Sequence, residues 1–260
     1  MRFLITFAVA AEFAPWSARH PFVPYEFDDR AHRREFDLFR ANIGSNEVTV
    51  LLTGMGGENA KNAMRTVNLE MPDVCISSGL AGALDRSLKR GTIVVAHRCE
   101  TTDLKLKTTS DVDMVELAVA SGARAAEVFA TSDRIMATAR AKEELSAFGH
   151  VVDMESSYIL SAASAWRVPV VAVRAISDAA DEDLPVDFEC VTDSRGRVKV
   201  GGLLKELAVH PYRLPLLVRF GFRSRAAAVT LADFLDGYIP EVAEKWQGMR
   251  ASDIEEVSAT

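Results

Sequence analysis

Long apolar runs are missing from this 260-residue chain, and no stretch approaches the ~20 residues that a membrane-spanning helix needs. Cysteine is scarce. Cys75, Cys99 and Cys190 have no metal-ligand spacing, and Cys75 lies in an apolar run, which reads as buried thiols in a reducing, cytoplasmic compartment. No metal and no cofactor is expected. Cations are in deficit: 30 Lys and Arg stand against 37 Asp and Glu, a net charge of -7. That argues against nucleic-acid binding, which runs on clustered Lys and Arg. Internal repeats and low-complexity tracts are also lacking. What is present is a 48% hydrophobic composition, enough to bury a full core as one domain or one domain with an appendage.

The apolar residues are grouped as strands and helices in alternation. Val48 to Thr53, Val74 to Ser78, Ile93 to Ala96, Val128 to Thr131 and 168–175 are β-rich runs, while Glu58 to Leu69, Asp111 to Ser121, Thr138 to Phe148 and 155–166 carry helical spacing. The pattern predicts an α/β fold with a single mixed, mainly parallel sheet flanked by helices. The start, Met1-Arg2 followed by Phe3-Leu-Ile-Thr-Phe-Ala-Val-Ala-Ala11, can be read as a short export signal or as a buried first strand. The strand is favoured, because the rest of the pattern needs one. Residues 14–46, with Pro15, Pro21, Pro24 and a charged run from Asp28 to Arg34, read as a mobile loop with a short helix. Leu231 to Trp246 reads as a final amphipathic helix and Arg250 to Thr260 as a frayed end. The expected division is an α/β domain over 1–200 and a helical C-terminal extension over 201–260.

Two glycine-rich turns follow strands. Thr53-Gly-Met-Gly-Gly-Glu-Asn-Ala-Lys lacks the Gly-Lys-Ser/Thr ending of a P-loop and has Asn59 where a dinucleotide fingerprint needs its third glycine, so a bare turn and a ligand contact stay equally open. Ser77-Ser-Gly79-Leu80-Ala-Gly82 is more suggestive, because small residues let main-chain N–H groups approach a ligand.

The most informative stretch is Val151-Val-Asp-Met154-Glu155-Ser-Ser157, followed by Val168-Pro-Val-Val-Ala-Val-Arg174-Ala-Ile-Ser177-Asp178. The first part puts a Met-Glu pair where a strand becomes a helix. The second ends an apolar strand in an Arg, a Ser and an acid. Such groups gather at the carboxyl edge of a sheet, where open α/β folds bind ligands. Their chemistry suits gripping a sugar diol and protonating a leaving group.

Ser78-Gly-Leu-Ala-Gly-Ala-Leu-Asp with Gly91-Thr-Ile-Val-Val, then Asp-Met-Glu, then Arg-Ala-Ile-Ser-Asp, resemble in order the family of purine nucleoside phosphorylases and methylthioadenosine/adenosylhomocysteine nucleosidases, over about residues 1–180. The resemblance implies a purine nucleoside as small-molecule partner. It implies that Glu12 activates water, that Met154 packs on the ribose and Glu155 holds its hydroxyls, and that Asp178 protonates purine N7 with Ser177 beside it. Arg174 is implied near the nucleophile, and Ile135 and Met136 in the base pocket. It also suggests a homo-oligomer, at least a dimer. Cleaving an N-glycosidic bond makes an oxocarbenium-like sugar, and the purine leaves far more readily with a proton on N7. Raising Asp178 from about 4 to about 7 requires ~4 kcal/mol of differential interaction.

Bland roles compete with each of these: a solvated loop carboxylate for Glu12, helix N-terminal residues for Glu155 and Asp178, and neutralisation of a neighbouring carboxylate for Arg174. Leu80 stands where many family members carry a Ser that donates to phosphate or a sugar hydroxyl, and the Gly-Asp-Pro-x-x-Arg turn of hexameric phosphorylases is absent near Glu12. Water is therefore favoured over phosphate as nucleophile. A phosphorylase is the first alternative, and a non-catalytic nucleoside-binding relative, with a pocket blocked at Leu80 or a solvent-facing Asp178, the second. The tail, His210-Pro-Tyr-Arg213-Leu-Pro-Leu-Leu-Val-Arg219-Phe-Gly-Phe-Arg223-Ser-Arg225, resembles that of the hopanoid-associated phosphorylase group, linked to adenine removal from adenosylhopane. Its four arginines without an acid suit peripheral membrane contact through 210–225, or a helix packed on protein with extended arginines.

Overall fold

The computed structural model describes residues 1–25, 36–66, 71–185 and 214–258, with side chains to residue 248. In chain order the elements are β1 (Arg2–Phe7), α1 (Ala10–Ser17), β2 (Val23–Pro24), β3 (Asp37–Ile43), β4 (Asn46–Leu52), α2 (Gly57–Thr66), β5 (Val74–Ser77), β6 (Leu80–Ala83), β7 (Ile93–Thr101), β8 (Lys107–Thr109), α3 (Val112–Ala120), β9 (Arg124–Thr131), α4 (Ala139–Leu145), β10 (Val151–Asp153), α5 (Ser156–Ala165), β11 (Val170–Asp178) and α6 (Leu214–Ser258).

The strands form one sheet in the order β2-β3-β4-β1-β5-β11-β6-β10-β9-β7-β8. Pairings β1–β4, β1–β5, β5–β11, β6–β11, β9–β10 and β7–β9 are parallel, and the remainder antiparallel. β7 also pairs with β11, so β11, β6, β10, β9 and β7 close into a ring. β1 is paired on both edges and has a buried cluster against each face, which explains why Phe3 to Phe7 is apolar almost without alternation. Phe3, Ile5 and Phe7 join one buried cluster with Trp16, Val48 and Val50, while Leu4 points the other way to meet Leu51, Cys75 and Met64 of α2. Cys75 and Cys99 are buried free thiols, and Cys190 lies outside the described residues.

The Ser77–Gly82 turn contains most of strand β6, the short strands β2 and β8 fall where the sequence pattern predicts none, and two further elements differ most from the sequence expectation. Residues 37–43, assigned to a loop, form β3, which pairs along its whole length with β4 through the two-residue turn Gly44-Ser45, with Gly44 at φ +59. The charges on Asp37 and Arg40 sit on a partly exposed strand and masked its periodicity. The last helix is also far longer than Leu231 to Trp246, running from Leu214 to Ser258 through the segment expected to fray. Its buried stripe, Ala227, Leu231, Leu235, Tyr238 and Val242, recurs at helical spacing and belongs to the same cluster as β1. Polar contacts fix it further: Trp16 Nε1 donates to Asp236 Oδ1 at 2.7 Å, and Tyr238 Oη to the Met114 carbonyl at 2.6 Å. The expected boundary at 200 lies outside the described residues.

Candidate active site

β6 organises the site. Its first residue, Leu80, meets Glu12 from α1, and Gly82 pairs with both Val152 of β10 and Asp178 of β11. Glu12 Oε1 accepts from Leu80 N at 2.9 Å, and Oε2 accepts from Ala8 N at 3.0 Å and Val9 N at 3.3 Å. The Val9 bond closes the first turn of α1, so Glu12 also caps its own helix. It is not a solvated loop carboxylate: burial raises its pKa, opposed by the three main-chain donors and by Arg174. A carboxylate has about four acceptor positions, so roughly one remains open for a water. Gly79, at φ +148, makes this closeness achievable, since a Cβ there would lie 3.2 Å from Glu12 Oε1.

Glu155 precedes α5 but does not cap it. Its Oε1 instead accepts from Gly56 N at 2.7 Å, across 99 residues of chain, and Gly56 can present that N–H because it holds φ +90. The first glycine turn therefore serves to hold a carboxyl group. Burial, reinforced by nearby Asp153, pushes the Glu155 pKa up to about 8. Met154 is half-buried, with its methyl 3.9 Å from where a Cβ on Gly56 would sit.

Arg174 is buried, with its donors already committed. Its guanidinium pairs with Asp153 at 2.8 Å and donates to the Ser77 carbonyl at 2.7 Å, the Val173 carbonyl at 3.0 Å and Ser77 Oγ at 3.1 Å. Its field reaches both Glu12 and Glu155, where it favours the ionised forms. Here it neutralises Asp153 and braces β5 against β11. Asp153, which also accepts from Thr131 Oγ1 at 3.0 Å, escaped the sequence reading although it sits in the Asp-Met-Glu motif.

Asp178, at the end of β11, is 6% exposed and does not face solvent. Ser177 Oγ lies 2.6 Å from its Oδ1 and 3.2 Å from the Ala81 carbonyl, leaving the hydroxyl proton to one of the two. Its Oδ2 accepts from Lys142 of α4, a lysine only 1% exposed. The carboxyl fits against β6 because Gly82 has no side chain: a Cβ there would stand 3.0 Å from Oδ2. Ile135 and Met136 are half-buried, and Met136 packs on Leu84, Ala130 and Val152 beside this strand end. Sequence reasoning missed Lys142. An Ala-Arg-Ala-Lys-Glu-Glu-Leu helix reads as charged surface, and only the fold shows that the fourth residue turns inward.

Glu12 and Asp178 thus both lie against β6, at Leu80 and Gly82, and Glu155 lies within the electrostatic reach of Glu12 and Arg174. No group of His, Cys, Asp and Glu arranged to hold a metal occurs among the described residues. Two buried carboxyls and a lysine-paired acid around one strand suit cleavage of a glycosidic bond by acid–base chemistry. A sequence model of the Phosphorylase superfamily matches residues 2–208, and the chain belongs to that family. It is 25% identical over 177 residues to a 5′-methylthioadenosine/S-adenosylhomocysteine nucleosidase of Staphylococcus carnosus, covering 58% of this chain and 77% of the relative. The fold is shared with futalosine hydrolase of Helicobacter pylori (TM-score 0.70, 18% identity, 93% of this chain and 98% of that one). It is shared also with the Campylobacter jejuni methylthioadenosine/adenosylhomocysteine nucleosidase (TM-score 0.69, 17% identity, 93% and 99%).

Proposed function

We propose that this protein is a purine nucleosidase that hydrolyses the N-glycosidic bond of a 5′-substituted adenine nucleoside and releases adenine. One observation carries the choice of water over phosphate. The Leu80 N–H, the main-chain donor an anion would use at this turn, is given to Glu12, whose own charge repels phosphate. Glu12 takes the proton from water, Glu155 and Met154 hold the ribose, and Asp178 with Ser177 serves N7. Ile135 and Met136 flank the base. The nucleosidase names of the relatives support this reading, and the burial of Asp178 argues against a non-catalytic binder. The test is adenine release from a panel of adenosines carrying methylthio, homocysteinyl or apolar 5′ groups, with and without phosphate. No release from any member would end the enzyme reading, and phosphate-dependent release would replace it with a phosphorylase.

A peripheral membrane contact belongs to the same proposal, supported by the start of α6. Leu214, Val218 and Phe222 are 50%, 49% and 71% exposed and recur every four residues, in line with Arg225. On the inner side, Arg219 and Phe220 line a cavity of ≈ 930 Å³ with Ala137 and Ala179, the residue after the acid. Arg223 instead donates to Glu182 at 2.6 Å, and Arg213 lies outside the described residues. Among the described residues no helix is long and apolar enough to cross a membrane. A homodimer is included in the reading. It is supported by Leu104, a leucine left 68% exposed in the turn between β7 and β8. Sedimentation equilibrium decides that point.

A further inference from the structure

The lysine behind Asp178 is not accounted for by the reaction as described so far. Lys142 Nζ is enclosed, and each of its three N–H groups has an acceptor: Asp178 Oδ2, the Ala179 carbonyl at 2.9 Å and the Glu182 carbonyl at 2.9 Å. The loop carrying these carbonyls is itself pinned. Asp183 Oδ1 accepts from Ala139 N at 2.7 Å, and Leu184 N donates to the Ala137 carbonyl at 2.8 Å. The Glu182 carboxylate is gripped by Arg90 and Arg223. Nζ is therefore fixed by two neutral acceptors so that its third N–H meets the carboxyl that must act as acid. A lysine ammonium has donors only, so Asp178 Oδ2 faces it as an acceptor. That leaves the proton needed at N7 to be found.

We propose that Lys142 stores this proton and passes it to the base through Asp178, as a positioning residue for the acid; the inference rests on the nucleosidase reading. The proton moves from Nζ to Asp178 Oδ2, and the carboxyl group so formed gives it to purine N7. The C1′–N9 pair leaves with adenine. Water adds through oxygen to C1′, and its released proton goes to Glu12. The cycle leaves a neutral Lys142 amine and a protonated Glu12, and a proton returned through solvent restores both. A neutral amine keeps two N–H groups for the Ala179 and Glu182 carbonyls, while its lone pair, left facing the Asp178 carboxylate, favours the return of a proton to Nζ. No carbonyl is orphaned at any stage.

The experiment compares an adenine nucleoside with 4-nitrophenyl riboside, whose nitrophenolate leaves without protonation. In the wild type, kcat/KM for the adenine nucleoside carries an alkaline limb that the nitrophenyl profile lacks. Lys142→Gln, which keeps amide donors but no transferable proton, loses 100-fold or more on the adenine nucleoside at pH 7.5, with its limb moved to lower pH. The loss on the nitrophenyl substrate stays under about 10-fold. Equal losses on both substrates would make Lys142 merely structural. Retention of adenine cleavage within threefold would overturn the proposal, as would a wild-type adenine limb shared by the nitrophenyl profile or lying below pH 6. The wild-type comparison decides the matter even if the variant does not fold. A wild type that cleaves neither substrate refutes the nucleosidase reading itself.

Discussion

Replacing Glu155 with Gln separates what this residue does for the site from what it costs the fold. Its carboxyl is 7% exposed and its pKa rises from 4.5 to about 8, chiefly through burial. At ~1.36 kcal/mol per pH unit, that displacement corresponds to ~5 kcal/mol against the ionised form. Since Asp153 shares the field, ~2 kcal/mol is a prudent floor. A raised carboxyl favours the folded state at low pH. Its contribution is complete below 4.5 and lost as pH climbs to about 8, because the folded protein then binds more protons than the unfolded one. Gln keeps an acceptor for the Gly56 N–H but cannot ionise. Urea unfolding of both proteins from pH 5 to 9 reads the effect, and the difference between them cancels every other titrating group. The Gln variant should gain 2–5 kcal/mol on the wild type, to order of magnitude, across that range. It should also discriminate far less between adenosine and its 2′,3′-dideoxy analogue. A difference curve flat in pH would refute the burial argument.

Asp178→Asn should lower adenine nucleoside cleavage on the order of 10²–10⁴-fold and, by leaving Lys142 buried without its counter-charge, should also lower the melting temperature; steady-state kinetics with a thermal melt checks both. Glu12→Gln should reduce kcat while nucleoside still binds, as measured by single-turnover hydrolysis beside equilibrium binding; unchanged kcat would remove Glu12 from the reaction. If α6 meets a membrane, the protein should co-sediment with anionic vesicles and be released by salt, at ~1 kcal/mol per exposed arginine. Replacing Arg219 and Arg225 with Gln should then weaken that binding, and no binding at low salt would end the membrane idea.

Sequence reasoning reached the parts of this molecule that depend on local pattern. The two-sided apolar strands β1, β5 and β11 were legible because burial on both faces removes alternation. The Asp-Met-Glu and Ser-Asp segments were legible because a strand ending in polar groups is unusual. β3 was hidden because its charges face outward at a sheet margin, and the first half of α6 because arginines interrupt its apolar residues. Long-range pairings were the least accessible. Nothing local ties Gly56 to Glu155, Lys142 to Asp178, or Arg174 to Asp153. The partner of Asp178 lies 36 residues upstream on a helix that reads as surface.

The central claim is that water, activated by Glu12, attacks the sugar of an adenine nucleoside. Its most direct test is product analysis in phosphate-free buffer, counting adenine against free reducing sugar over a complete reaction. One free sugar per adenine, at a rate that added phosphate does not raise, is the result predicted here. Cleavage that starts only when phosphate is supplied, with the sugar recovered as its 1-phosphate, would contradict it.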